Sequence, residues 1–361
     1  MRARNILYIF IILFCFTACK NKTVYSVVDL FNETKELKNH SLRIDGFSEN
    51  ILNPAQIEII NDRLFLLDVQ ASTPFSVIDL QKQKYLNSFG KKGEGPGEII
   101  GVMDFYVNYN ETGINCWDAM LRHLYFCEKD SALLYNKTVG INLFDDLKYK
   151  KSFNSFFPNV LQVDKSLFLA IGCSGEKRFS LLNTKNNKVL QTGEYPKQEM
   201  VTGIDSTIKA HAYHGKIRYN REKKRVVYIS FFSEMIEIFN VNEFGLELAF
   251  GNYTTIPKFK QENSPRGIRI RTEKDKFGTN LGVSISDDYI FILYQSKIIT
   301  DKNRRSAAAN DVLVFNWNGE PIMHYKLDHE VTSISIKKDS KRLYALINNE
   351  EPEIIYYDLN L

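Results

Sequence analysis

The feature that most constrains the fold is a pair of strand-like segments that recurs six times along the chain. In each pair, an apolar segment is followed by a polar turn and a second apolar segment. The pairs are 64–68 with 75–80, 114–117 with 124–128, 167–171 with 179–184, 226–232 with 236–241, 289–295 with 312–317, and 342–347 with 354–359. Short, alternating segments bounded by turn residues are typical of β-strands. About 52 residues per unit is within the range of β-propeller blades.

The end of the chain predicts how such a ring closes. Three strand-like segments, near residues 331–336, 342–347 and 354–359, precede the last residue, Leu361. A fourth strand is needed, because an open edge would expose unpaired N–H and C=O groups. The segment from His40 to Phe47 alternates apolar and polar residues and can supply it. The predicted fold is therefore all-β, a six-bladed β-propeller closed by an N-terminal strand that pairs into the last blade. A weak repeat within 242–288 would make seven blades.

The N-terminus has the pattern of an exported lipoprotein. Arg2 and Arg4 precede an apolar run of about a dozen residues, which is too short to span a bilayer but suits a secretory signal. The run ends in small residues followed by Cys19, which look like a bacterial lipobox. We expect a signal peptide at 1–18, a lipidated tether at 19–38 with a short helix near 27–31, and one propeller domain at 39–361. Lys20-Asn21-Lys22 follows Cys19 without the acidic cluster that surface-exported lipoproteins often carry there. We therefore expect a cell-envelope protein that faces the periplasm, and surface exposure stays an alternative.

A glycine-rich segment, Ser88 to Ile99, separates two of the predicted strands. Its turn residues are Gly90, Gly93, Gly95, Pro96 and Gly97. A helix is incompatible with this density of glycine and proline. A phosphate-binding loop would have to lead into a helix, whereas residues 99–109 are β-branched and aromatic. We therefore interpret the segment as a structural turn that crosses between two sheets.

The same segment resembles a known repeat. Phe89-Gly90, Gly93 and Gly95-Pro96-Gly97-Glu98 are similar to the opening of an NHL-type propeller repeat, and Trp117-Asp118 through Arg122 to Phe126 is similar to its later positions. Leu66-Leu67-Asp68 and the segment 75–79 resemble the tail of the preceding repeat. With its N-terminus, the chain resembles the TolB-like six-bladed β-propeller lipoproteins of Bacteroides-type bacteria over about residues 60–130. The resemblance implies a propeller tethered to a membrane by its N-terminal lipid.

Composition narrows the class of partner. Hydrophobic residues make up 44% of the chain and aromatic residues 13%, as in a packed globular protein. The net charge of +4 is small and dispersed, so we expect no nucleic-acid partner. Cys-x-x-Cys and His-x-x-x-His spacings are absent from the sequence, so we expect no metal and no cofactor. Cys116 and Cys127 flank a predicted hairpin, and both a disulfide and two buried thiols are compatible with that placement.

Two long polar segments, 200–218 and 252–280, are the candidate ligand-binding regions, because long loops of propellers often carry function. Arginine side chains next to aromatic rings suit carboxylates, phosphates or sugars. The candidate residues are His211, Tyr213, His214, Arg266, Arg269 and Arg271. The alternative is that these residues decorate the surface.

The sequence assigns no catalytic residue. A Gly-x-Ser-x-Gly motif is absent. Asp68, Asp79, Asp118 and Asp358 fall at strand ends, where turn formation explains them. The favoured interpretation is a non-catalytic binding or scaffold lipoprotein of the envelope, with an envelope protein or a glycan-derived ligand as partner. The alternative is a propeller enzyme, a hydrolase or lyase acting on a glycan or ester, with His211 and His214 in its site. A sensor domain would look the same in sequence as a binding protein.

Overall fold

The computed structural model describes residues 26–129, 139–142, 157–172, 177–196, 206–264, 267–272, 278–296 and 308–361. The predicted signal peptide and Cys19 lie outside these residues. The described part contains a 3-10 helix at Val27–Leu30 and helices at Phe47–Asn50 and Ser206–Ala212. Its strands are β1 (Thr34–Leu37), β2 (His40–Ser41), β3 (Pro54–Ile60), β4 (Arg63–Asp68), β5 (Phe75–Asp79), β6 (Lys84–Phe89), β7 (Val102–Val107), β8 (Gly113–Asp118), β9 (His123–Glu128), β10 (Val139–Asn142), β11 (Asn159–Gln162), β12 (Leu167–Ile171), β13 (Phe179–Asn183), β14 (Lys188–Thr192), β15 (Gly215–Asn220), β16 (Arg225–Ser230), β17 (Ile236–Asn242), β18 (Gly245–Asn252), β19 (Phe259–Ser264), β20 (Gly267–Thr272), β21 (Thr279–Ile285), β22 (Tyr289–Gln295), β23 (Ala309–Asn316), β24 (Pro321–Val331), β25 (Ser333–Ile336), β26 (Arg342–Ile347) and β27 (Glu353–Asp358).

Six antiparallel sheets form the blades of a ring. They are β3–β6 (blade 1), β7–β10 (blade 2), β11–β14 (blade 3), β15–β18 (blade 4), β21–β24 (blade 5) and β25–β27 (blade 6). The twelve segments that the sequence predicted coincide with the second and third strands of these blades, so the six-bladed fold is confirmed. One expectation needs correction: the segment 252–280 is not a plain loop, because it contains the β19–β20 hairpin between blades 4 and 5.

The first strand of each blade lies at the centre of the ring. Neighbouring first strands contact each other, as β25 contacts β3 and β21 contacts β25. Serine hydroxyls join them: Ser335 Oγ accepts a hydrogen bond from the Ile59 N–H (3.0 Å), and Ser284 Oγ accepts one from the Ile336 N–H (3.0 Å). These bonds satisfy main-chain donors that the blade's own ladder leaves unpaired.

The ring closes as the sequence predicted. Strand β2 is antiparallel to β27, with His40 opposite Tyr356 and Ser41 opposite Ile355. The N–H of Leu42 then donates to the Ile354 carbonyl at 3.3 Å. The paired segment is shorter than His40 to Phe47, because Gly46 adopts a left-handed conformation (φ 78°) that starts the helix at Phe47–Asn50.

The chain before β2 also belongs to the folded body. Val27 is fully buried and Phe31 is 8% exposed, and both pack in the apolar cluster between blades 4 and 5. Strand β1 then adds a fifth, parallel strand to blade 5, with Thr34 opposite His324 and Leu37 opposite Leu327. The expected tether at 19–38 is thus packed against the propeller from Ser26 onward.

The glycine-rich segment is the crossing from blade 1 to blade 2, and β7 rather than a helix follows it. Gly93 has a φ of 153°, and a Cβ there would lie 1.9 Å from Glu98 Oε2. That carboxylate accepts a hydrogen bond from the Gly95 N–H (2.9 Å) and pairs with Lys91. The positive φ favours glycine here, and the Glu98 side chain folds back over the loop at this position.

In blade 1 and in blade 2, an aspartate at the end of the second strand bonds main-chain N–H groups of the same blade. Asp118 is fully buried and accepts hydrogen bonds of 2.7–3.1 Å from the N–H groups of Ile100, Gly101, Met120 and Leu121. Asp68 does the same for Leu52, Asn53, Gln70 and Ala71 at 2.6–3.1 Å. Each carboxylate thereby ties the entry to a first strand to the turn after the second, which is a structural role.

Cys116 and Cys127 are free and buried. The register places Cys116 opposite Tyr125 and Cys127 opposite Ile114, so the two thiols are not cross-strand partners. Of the two alternatives left by the sequence, the pair of buried thiols is the one observed.

Candidate ligand site at the channel mouth

A cavity of about 420 Å³ opens where the first strands end. Its volume is within the usual range of small-molecule sites. Every blade lines the cavity with residues of its first strand, among them Glu58, Tyr106, Gln162, Arg218, Ser284 and Ser335. The turns that follow these strands form the rim. The cavity therefore lies on the ring axis, at the mouth of the channel.

Residue size explains why space remains there. Blades 2 and 4 place Tyr106 and Arg218 on the channel, whereas blades 5 and 6 place Ser284 and Ser335. The Tyr106 hydroxyl donates to the Val160 carbonyl at 2.9 Å, so its ring is held against blade 3. The small serine side chains leave the opposite side of the channel open.

A buried ion cluster forms the floor of the cavity. The Arg218 guanidinium binds both oxygens of Asp104, at 2.7 and 3.1 Å. Its Nη2 also donates to Glu58 Oε1 at 2.9 Å. The side chain of Arg218 is 6% exposed, that of Glu58 is 8% exposed and that of Asp104 is fully buried. One arginine on blade 4 thus connects carboxylates of blades 1 and 2 across the channel.

Further polar groups lie beneath this floor. Lys216 Nζ is 3.5 Å from Asp104 Oδ1 and donates to Gln56 Oε1 at 3.2 Å. Asn159 Nδ2 donates to Asp104 Oδ2 at 2.8 Å. In their ionised forms, the two carboxylates and the two cations balance, so the cluster fills the channel below the cavity without net charge. Such balance is what makes burial of four charges tolerable.

Burial and charge act differently on the two carboxyl groups. Burial raises the pKa of Glu58 above its ordinary value, although Arg218 acts against the shift. Burial acts in the same direction on Asp104, but the charges of Arg218 and Lys216 outweigh it and hold the Asp104 pKa well below its ordinary value. Asp104 is therefore the permanent counter-ion of Arg218, and Glu58 is the carboxyl that protonates more easily.

Two polar atoms of the floor have no partner among the described residues. Arg218 Nε is buried and donates to no acceptor. Glu58 accepts its hydrogen bonds from Arg218 and Gln56 through Oε1, which leaves Oε2 free. Both side chains line the cavity. Because Arg218 Nε is enclosed by protein atoms, it is a buried unpaired donor and not a contact for a molecule in the cavity.

The rim carries charges that pair with one another. Lys337 bonds Asp62 at 2.7 Å, and Lys338 bonds Glu111 at 2.5 Å. Tyr109 and Tyr219 also line the cavity, and both are half-buried. The rim therefore offers aromatic rings and paired charges rather than an excess of positive or of negative charge.

Comparison with known proteins identifies the family. A family model described as "TolB-like 6-blade propeller-like" matches residues 30–339. The chain belongs to this family. The resemblance that the sequence predicted from residues 60–130 is therefore confirmed over most of the chain. A comparison with curated proteins found no match.

Two solved structures share the fold of this TolB-like propeller. One is a member of the DUF4221 family from Bacteroides vulgatus, 11% identical, with a TM-score of 0.55; the match covers 91% of this chain and 99% of that one. The other is a putative exported protein from Bacteroides fragilis, 14% identical, with a TM-score of 0.54 and the same coverage. At these identities the similarity shows the fold alone. In the described part of the chain, no helix is long and apolar enough to cross a bilayer.

The histidines that the sequence singled out lie at the other end of the channel. His214 directly precedes β15, whose opposite end reaches the cavity. Burial lowers the His214 pKa to about 4, and His211 contributes to the shift. His211 is exposed on the helix Ser206–Ala212. Tyr213 is buried, with its ring 5.0 Å from that of Tyr195. These three residues do not line the cavity.

The arginines singled out with them are only partly described. Arg266 lies outside the described residues. Arg269 and Arg271 lie on β20, opposite Glu262 and Lys260 in the β19–β20 hairpin. The hairpin contacts the helix Ser206–Ala212, so the two candidate regions do meet, away from the cavity lining. A ligand-binding role for these residues stays a prediction.

Sequence reasoning missed Glu58, Asp104 and Arg218. A signal was present, because Lys216 and Arg218 alternate with apolar residues in a strand-like segment, as Gln56 and Glu58 do. Alternation of charged residues within a strand normally indicates a solvent-exposed face. In the first strand of a propeller blade, the same face lines the channel.

A second cavity, of about 640 Å³, lies between blades 3 and 4. Arg178 pairs there with Glu237 at 2.6 Å, and both are buried. The Arg178 guanidinium also lies 5.1–5.8 Å from the ring centres of Phe179, Tyr213 and Tyr228. Packing between the blades accounts for this arginine.

Proposed function

We propose that this TolB-like propeller is a non-catalytic binding protein of the bacterial cell envelope and holds a sugar unit of a glycan in the channel-mouth cavity. The observation that carries the proposal is the cavity of about 420 Å³ at the channel mouth, which is lined by polar side chains of all six blades and by Tyr109 and Tyr219. Its volume is that of a small-molecule site.

The lining favours a neutral, hydroxyl-rich ligand. Acidic residues outnumber basic residues by six to four, which disfavours phosphates and other anions. The rim cations already pair with carboxylates of the protein. Tyrosine combines an apolar ring with a polar hydroxyl, and Tyr109 and Tyr219 present such rings at the rim. A sugar has a matching apolar C–H face and polar edge.

The second part of the proposal is anchoring of the chain through a lipid on Cys19. Ser26 lies seven residues after Cys19, so the two are at most about 25 Å apart even in an extended chain. Ser26 Oγ donates to Glu234 at 2.7 Å and lies 3.1 Å from the Tyr294 hydroxyl. Tyr294 is near the end of β22, a strand that begins beside the cavity rim. Anchoring would hold the face opposite the cavity against the membrane and leave the cavity open to the periplasm.

Replacing Cys19 with serine is expected to move the protein from the membrane to the soluble fraction, because serine cannot be lipidated. The measurement is fractionation of cells that express each form, together with the mass of the purified chain. A Cys116→Ala variant is the control, because that buried thiol is not an anchor. Membrane retention of the serine variant in high salt would contradict lipid anchoring.

Binding of a saccharide is expected to raise the melting temperature of the purified full-length chain, because a ligand that binds only the folded state stabilises it. Titration of wild-type protein and a Tyr109→Ala variant against a panel of envelope oligosaccharides tests the site. We expect the variant to bind about tenfold more weakly, since it loses a ring at the rim. Tyr85→Ala, on the outer strand of blade 1, is the matched control. Absence of binding across the panel would refute a glycan ligand, and cleavage of a bound glycan would refute the non-catalytic role.

A further inference from the structure

The β19–β20 hairpin is inserted between blades 4 and 5 and forms a two-stranded sheet of its own. Its register places Lys260 opposite Arg271 and Glu262 opposite Arg269. Directly opposite residues, and residues two apart in one strand, share a face of such a ribbon. These four residues therefore share one face. Because Glu262 is exposed, that face is turned to solvent.

The solvent face of the hairpin is basic. Three of its four charged residues are cations, and the exposed Lys258 directly precedes β19. The described residues from 258 to 272 thus contain four cations and one anion, whereas the whole chain has a net charge of only +4. The hairpin concentrates positive charge that the rest of the chain balances, in contrast to the paired charges of the cavity rim.

The base of the hairpin is fixed to the segment that also holds the N-terminus. This segment joins β16 to β17 and includes Glu234. Asn252 Nδ2 donates to the Glu234 carbonyl at 3.2 Å, and the Glu234 N–H donates to Thr255 Oγ1 at 2.9 Å. On the other side of the hairpin, Asn280 Nδ2 lies 3.2 Å from three carbonyl oxygens of the same segment. Since the Glu234 carboxylate accepts from Ser26 Oγ at 2.7 Å, the hairpin begins and ends beside the first described residue of the chain.

We infer that the basic face of the β19–β20 hairpin binds the phosphate groups of anionic lipids in the membrane that anchors the protein. This inference rests on the proposed anchoring through Cys19 and adds a second contact with the same bilayer. Strand β19 has six residues and extends about 20 Å, similar to the distance of at most about 25 Å between Cys19 and Ser26. The hairpin and the lipid can therefore reach the same surface. Basic residues beside a lipid anchor attract anionic headgroups and strengthen the attachment.

The test uses the chain from Lys20 to Leu361, which retains every described helix and strand and carries no lipid. Its sedimentation is measured with vesicles of phosphatidylcholine alone and of phosphatidylcholine mixed with phosphatidylglycerol. We expect binding to the mixed vesicles only, and release in high salt because salt screens the charges. Equal binding to both kinds of vesicle, or binding to neither, would overturn the inference. Tighter binding of heparin than of the mixed vesicles would assign the face to a soluble polyanion and would also overturn it.

A variant with Lys260→Gln, Arg269→Gln and Arg271→Gln isolates the hairpin. One basic residue near an anionic membrane contributes about fivefold in affinity. The triple variant should therefore bind the mixed vesicles about a hundredfold more weakly than wild type. Unchanged binding would overturn the inference. If the variant does not fold, hydrogen exchange of the wild-type chain decides, because the mixed vesicles should protect amides of residues 258–272, and absence of that protection would overturn the inference.

The matched control removes the same charge from the other end of the ring. It combines Lys82→Gln, Lys185→Gln and Lys341→Gln, three exposed residues in turns at the cavity end that do not line the cavity. This control should bind the mixed vesicles like wild type, and a loss equal to that of the hairpin variant would reduce the effect to net charge and overturn the inference. Because the tested chain lacks Cys19, failure here leaves the lipid anchor to be decided by the fractionation of the Cys19→Ser form.

Discussion

Replacing Arg218 with methionine is expected to lower the free energy of unfolding by about 3–5 kcal/mol at pH 7, because it leaves two buried carboxylates without their counter-ion. Glu58 and Asp104 both bond to this guanidinium. Lys216 remains 3.5 Å from Asp104 but is one cation for two anions. Urea denaturation of both proteins measures the difference.

The pH dependence of this difference tests its cause. In wild type, Asp104 has a lowered pKa, so its contribution is present above its unfolded pKa and is not lost between pH 7 and 5. In the Arg218→Met variant, burial without the opposing charge should raise the Asp104 pKa above its unfolded value and should raise the Glu58 pKa further than burial already raises it in wild type. Stability of the variant should therefore rise as the pH falls and these groups protonate. The deficit should shrink between pH 7 and 5.

Arg225→Met is the control for loss of an arginine. Arg225 also bridges strands, through Asn240 at 3.0 Å, but it bonds neutral groups and is half-buried. Its replacement should cost less and show no such pH dependence. An equal loss for the two variants, constant with pH, would contradict the view that the floor is an ion cluster whose charges depend on each other.

Replacing Phe31 with alanine is expected to cost about 3 kcal/mol, as for other buried phenylalanines. Phe31 is 8% exposed, and its ring lies edge-on to Phe315 at 5.1 Å between the centroids. It belongs to the segment that the sequence predicted to be a tether, for which the expected cost would be near zero. Thermal and urea denaturation of the variant distinguish a packed segment from a tether.

Phe244→Ala is the matched control, because Phe244 is 81% exposed and its loss should change the free energy of unfolding by no more than about 0.5 kcal/mol. Deletion of residues 26–46 extends the test, since it removes β1, β2 and the 3-10 helix together. A melting temperature unchanged by the deletion would contradict a structural role for the N-terminal segment.

The blades could be predicted from sequence because their signal is local. Alternation within segments such as 342–347 and the turn residues around them report a strand wherever the segment lies in the fold. The closing strand was predictable for a similar reason, since a missing fourth strand leaves an edge that another strand must cover. These arguments need no knowledge of distant contacts.

The floor of the cavity could not be predicted, because it depends on closure of the ring. Glu58 and Arg218 are 160 residues apart and meet only when blades 1 and 4 face each other across the axis. Strand β1 was missed for the same reason, because Thr34–Leu37 is short and largely polar and its partner, β24, lies about 290 residues away. By contrast, His211 and His214 were predicted as site residues because histidine is often functional. Residue type alone does not tell which end of the channel a loop occupies.

The position of β1 and β2 sets the order in which this protein can complete its fold. Because a chain is synthesised from its N-terminus, residues 26–46 are made before any of their partners. Those partners are β24 and β27, which follow nearly all the rest of the chain. The N-terminal strands therefore stay unpaired until nearly the whole chain has been synthesised, and the ring cannot close before then.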